Sequence, residues 1–184
     1  MKRWAFLLLL LAAPASAHNG TGLPGGFAAG FLHPLTGGDH LLAMMSVGLW
    51  GAFLGRPLIY ALPVIFPLMM VAGAVLGMAE APVPPVEFGV AASVLILGAA
   101  VAAGWRAPVW LACGLVGLFA LFHGYAHGRE LPSAADPLGY SAGFVVATGL
   151  LHLAGIALGG FKRRELGVGI LLAGAWFLYR AVAA

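Results

Sequence analysis

The groups in this chain that could hold a metal ion fall mainly in two short stretches. One is His33-Pro34-Leu35-Thr36-Gly37-Gly38-Asp39-His40, which runs straight into the apolar Leu41-Leu42-Ala43-Met44-Met45. The other is Phe122-His123-Gly124-Tyr125-Ala126-His127-Gly128-Arg129-Glu130. In the second, His123 and His127 stand i,i+4, so on a helix both imidazoles project from one face. Glu130, three residues further on, could join them as a ligand or hold a ring N–H from behind. Imidazole with carboxylate suits nickel, cobalt, zinc, copper or iron, and ligand type alone does not choose among them. The lack of a neighbouring cysteine argues against a thiolate or Cu(I) site, while Met44 and Met45 leave a thioether donor open.

Each of these residues also has a plain structural explanation. Asp39 could cap a helix, Glu80, Arg129 and Glu130 could be wetted loop charges, and any single histidine could be a hydrogen-bonded packing residue. The set weighs differently, because ionisable groups in membrane segments are rare and generally functional.

That the segments are membrane segments follows from composition. The chain is 62% hydrophobic and 8% charged, where soluble domains carry about 25% charged residues. Mean hydropathy is +1.01. These values exclude a soluble globule and predict an all-α, polytopic membrane protein. No alternating segments of the kind a β-barrel needs are visible. Cys113, the single cysteine, excludes an internal disulfide framework. The net charge of +3 is spread too thinly for a nucleic-acid surface, and the basic residues suit topology signals better.

Residues 1–17 read as a cleaved signal peptide. Lys2 and Arg3 form the positive n-region, Trp4 to Ala13 the apolar core, and Ala15-Ser16-Ala17 the cleavage site. An uncleaved first helix is the alternative. Cleavage would leave His18 at the mature N-terminus, where its imidazole and the α-amine could bind metal as a pair. Residues 18–184 then form one transmembrane domain. The apolar piece from Gly25 to Leu32, ended by His33-Pro34, is too short to span and predicts a half-helix or re-entrant segment. Spans are expected at about 38–55, 58–79, 86–104, 108–129, 137–160 and 165–183. Thr36-x-x-Asp39 has the form of a capping box at the start of the first. Pro63 and Pro67 should loosen the second span. The pairs Gly73/Gly77 and Gly155/Gly159 should let helices approach closely.

With the mature N-terminus outside, Arg56, Arg106, Lys162, Arg163 and Arg164 fall in cytoplasmic loops, and only Arg129 and Arg180 fall outside. This agrees with the positive-inside rule. The same topology gathers His33, Asp39, His40, His123, His127, Glu130, Glu80 and Glu87 at the outer face, and puts both mature termini there. His152 lies alone along the fifth span, either as packing or as a ligand on an exit path.

His33-x5-Asp39-His40 and the FHGYAHGRE stretch together resemble the two signatures of the HupE/UreJ family of nickel permeases. The signal peptide, chain length and number of spans match as well, so the resemblance covers the whole chain. It implies a non-enzymatic secondary permease of the inner membrane, carrying Ni²⁺ (Co²⁺ in some relatives) into the cytoplasm for hydrogenase or urease maturation. The residues it carries over as metal-binding are His33, Asp39, His40, His123, His127 and Glu130. Glu87, His18 and His152 are added on predicted location alone. The ion is cargo, so no prosthetic group is called for, and the expected partners are the divalent ion and the lipid bilayer.

Two other readings compete. A haem held by two histidines from different helices would use the same side chains. Gly139-Tyr140-Ser141-Ala142-Gly143, followed by His152, fits the G-x-S-x-G of a serine hydrolase. That motif needs a strand-to-helix elbow, whereas here it opens an apolar helix on which Ser141 and His152 stand about 16 Å apart along the axis.

Overall fold

The computed structural model describes residues 26–83, 85–131, 136–160 and 163–183, with the side chain of Glu130 left out of the description. The proposed signal peptide and His18 lie outside these residues. The described residues are helical and contain no strand. In chain order the helices are α1 (Gly26–Thr36), α2 (Gly38–Leu54), α3 (Leu58–Met78), α4 (Val86–Ala103), α5 (Val109–Glu130), α6 (Pro137–Leu158) and α7 (Arg163–Ala183).

Five of them, α3 to α7, are long and apolar enough to cross a bilayer. The composition of α3 shows why. Leu62, Phe66, Met70, Gly73 and Gly77 are buried, while Tyr60, Val64, Leu68, Val71 and Val75 on the other side are exposed and equally apolar. A helix that is apolar all round is buried in protein on one side and wetted by lipid on the other. The helix runs unbroken through Pro63 and Pro67.

The exception is α2. Its 17 residues rise about 26 Å, short of the roughly 30 Å hydrocarbon core. It is enclosed instead: His40, Met44, Val47, Gly48 and Trp50 are all buried, and α1, α3, α4, α6 and α7 pack around it. Its polar N-terminus is therefore covered by protein.

The start of α2 differs from the capping box expected there. Helix α1 does not stop at His33-Pro34 but continues to Thr36. The Thr36 hydroxyl turns back to the Leu32 and His33 carbonyls, at 3.2 and 3.0 Å. The His33 carbonyl also accepts the Gly37 N–H at 3.2 Å, so the Thr36 hydroxyl adds a second donor at the end of α1 and does not cap α2. Gly37 takes the N-cap position of α2, and Asp39 turns to His40.

Glycines set the helix spacing. A Cβ at Gly73 or Gly77 would collide with the Leu121 or Tyr125 carbonyl oxygen, and one at Gly124 or Gly128 with that of Met70 or Ala74. The α3–α5 pair is thus closed by small residues on both helices. Gly48 on α2 and Gly155 on α6 likewise meet the carbonyls of His152 and Met45. Gly159 faces the Ala52 side chain. Gly124→Val should lower the thermal stability of the purified protein by about 1–3 kcal/mol through overpacking. Gly114→Ala, where a Cβ meets nothing within 4 Å, should be neutral or gain up to about 1 kcal/mol. Thermal unfolding in detergent compares the two.

Candidate metal centre

Three helix ends build the site: the last turn of α1 supplies His33, the first turn of α2 supplies Asp39 and His40, and the end of α5 supplies His123 and His127. All four imidazoles are buried, with His40 and His123 fully inaccessible. One nitrogen from each of His33, His40 and His127 lies within 4.8 Å of the other two. Nitrogens sharing one ion stand about 3–4 Å apart, given bonds near 2.0–2.1 Å, so the trio would have to close by about an ångström. The rings meet edge to face, His33–His127, His40–His127 and His40–His123 each at 4.8 Å between centroids.

Second partners orient two of the rings. The Asp39 carboxylate accepts from both the backbone N–H and Nδ1 of His40, each at 2.8 Å. Its oxygen can only accept, so the His40 proton sits on Nδ1 and the lone pair on Nε2. This is the carboxylate–histidine arrangement that fixes the tautomer of a metal ligand. His123 is fixed from α4. The Ser93 hydroxyl donates to the Val90 carbonyl at 2.6 Å, and its oxygen lies 3.0 Å from His123 Nε2. With the hydroxyl proton committed, Nε2–H is the donor and Nδ1 carries the lone pair.

The glycines in Phe122–Glu130 have their own part. Gly124 and Gly128 face α3, and the intervening Tyr125 donates its hydroxyl to the Ala81 carbonyl at 2.9 Å. One surface of this stretch therefore closes the helix pair while the other presents imidazoles.

Of the residues singled out in the sequence, His33, Asp39, His40, His123 and His127 come together. Glu80 and Arg129, treated above as loop charges, form an exposed ion pair at 2.8 Å. Glu87 is exposed in the first turn of α4, outside the three-histidine group. His18 lies outside the described residues, and Glu130 is placed only as the last residue of α5. His152 is buried but separate. The Phe66 ring touches both it and the cluster, 5.3 Å from His152 and 5.7 Å from His123.

Sequence reasoning missed Ser93, Phe66, Tyr140 and Phe144, the last two packed on His33 and His127. Only the two prolines flanking Phe66 hinted at any of them.

The rival readings fare poorly on geometry. A haem between two of these imidazoles needs its macrocycle between the rings, which the 4.8 Å edge-to-face contacts do not admit. Ser141 is exposed on α6 while His152 is buried, and Gly139 to Gly143 are helical, so no nucleophile elbow forms.

A family profile described as HupE / UreJ protein matches residues 6–182. The chain belongs to the HupE/UreJ family. A relative within it, Protein HupE of Rhizobium leguminosarum bv. viciae, is 41% identical, with 93% of this chain and 94% of the relative covered. No solved structure matches. The HupE/UreJ family is associated with nickel and cobalt transport for hydrogenase and urease, so its members handle an ion that a set of buried imidazoles suits.

Proposed function

We propose that this protein is a secondary permease that moves a divalent transition metal ion, Ni²⁺ with Co²⁺ as the alternative, from outside the cell into the cytoplasm for hydrogenase or urease maturation. The observation that carries this reading is the convergence of His33, His40 and His127 from three helices into one buried group. His33, His40 and His127 bind the ion, and His123 stands beside them to receive it. Asp39 holds the His40 ring from behind. Glu87 and Glu130 balance charge at the same end of the bundle, and His18 attracts the cation to it.

In this reading residues 1–17 are cleaved, α1 is a re-entrant half-helix, and α2 completes six spans with α3 to α7, leaving both termini outside the inner membrane. The basic side chains support that orientation. Phe53, near the end of α2, carries Arg106 at 4.9 Å and Arg163 at 3.7 Å from its ring. Phe53 is about 20 Å along α2 from His40, so these cations gather at the end opposite the histidines.

A permease site must hold its ion moderately and let it go, so the ion keeps part of its water shell. Cells producing the protein should accumulate Ni²⁺ above vector controls, with Co²⁺ competing. Accumulation of neither ion would contradict the proposal. Uptake should also decline as the external medium is made acidic, because a protonated imidazole has lost the lone pair the metal needs. Initial rates between pH 8 and 5, with the driving gradient held constant, measure this directly.

A further inference from the structure

His152 is the buried histidine that the outer cluster does not use. It is 1% exposed, and neither ring nitrogen has a hydrogen-bond partner. Its imidazole lies against the backbone of Pro63. Proline has no N–H, so the group faced is the Pro63 carbonyl. That carbonyl is unusual within a helix. Its regular donor would be the N–H of residue 67, and residue 67 is also proline. Two donors of the kinds that bind divalent cations, an imidazole and a released carbonyl oxygen, therefore meet in the interior.

Their place in the bundle is informative. The backbone of His152 packs on Gly48, about 12 Å along α2 from His40 and about 8 Å before Phe53. One turn nearer the cluster, the buried Thr148 hydroxyl donates to the Met44 sulfur at 3.4 Å. Phe66 touches both His123 and His152 and belongs to the same helix turn as Pro63 and Pro67.

We propose that His152 and the Pro63 carbonyl form a second, inner station for the transported cation, with the Phe66 ring touching both it and the outer cluster. The inference rests on the permease reading and adds a step to it. The ion leaves the outer histidines, passes Phe66, and is held next by one imidazole, one carbonyl and retained water. Fewer protein ligands make this station weaker than the first, which favours onward release. The paired prolines acquire a role here: Pro67 withholds the amide that would otherwise occupy the Pro63 oxygen.

The test uses the full chain and Ni²⁺ as probe. Three variants, His152→Leu, His152→Cys and Pro67→Ala, are compared for uptake in cells and for Ni²⁺ binding to purified protein. His152→Leu should cut uptake at least tenfold while leaving the tighter binding event intact and removing the weaker one. His152→Cys keeps a donor and should retain more uptake than His152→Leu. Pro67→Ala restores an N–H to the Pro63 carbonyl and should lower uptake several-fold, although it adds a helix hydrogen bond. Wild-type uptake in both His152→Leu and Pro67→Ala would overturn the inner station. So would wild-type uptake in Pro67→Ala alone if His152→Leu fails to fold. The double variant His40→Ala/His127→Ala separates the two layers: if it transports normally, the outer-site reading itself fails.

Discussion

Replacing His40 and His127 together with alanine should abolish metal uptake. His40 Nε2 points its lone pair away from Asp39, and His127 touches both His33 and His40 at 4.8 Å between centroids. Of the grouped histidines, the double variant leaves His33 as the sole member. Changes to partners behind the ligands typically cost 10–100-fold in metal affinity, and loss of two ligands should exceed that. Uptake should fall to the vector background, with protein in the membrane at unchanged level. The fold should survive, because the α3–α5 contact depends on Gly73, Gly77, Gly124 and Gly128 and not on the imidazoles. Retention of uptake would remove these histidines from the transport path.

The second large effect concerns a residue that need not touch the ion. Asp39→Ala should weaken Ni²⁺ binding by about 10–100-fold. Its Oδ1 accepts two hydrogen bonds from His40, one holding the ring and one holding the local backbone. Without it the Nδ1 proton is no longer fixed, and the ring can present N–H where the metal needs a lone pair. Asp39→Asn should fall between wild type and alanine, since the amide oxygen still accepts from Nδ1 but contributes no charge. Titration of the purified variants with Ni²⁺ gives the ordering. Equal affinity in all three would show that the Asp39–His40 bond is incidental.

The sequence made the helical membrane class readable because hydropathy reports lipid contact directly, and α3 to α7 have little but apolar surface to offer on any side. It also made the histidines of the site readable, because an ionisable group in such a chain stands out by type. Partners that lack a charge were not readable. Ser93 and Phe66 are ordinary residues for an apolar helix, and only the packing of α4 and α3 against α5 and α6 brings them to imidazoles. Thr36 misled for a related reason. Spacing to Asp39 fits a capping box, but whether a hydroxyl serves the helix before it or the one after depends on where α1 ends. Pro34 suggested an early end, yet the helix closes one turn later. The length of α2 carried a similar ambiguity: its apolar run resembles a span, and only the structure shows its 17 residues packed among five neighbouring helices.

X-ray absorption spectroscopy of the purified, Ni²⁺-loaded protein tests the central claim most directly. The account predicts nitrogen and oxygen ligands with outer-shell scattering from about three imidazoles, lost when His33, His40 and His127 are replaced. A spectrum with oxygen ligands only, or an imidazole signature unchanged in that triple variant, would contradict it.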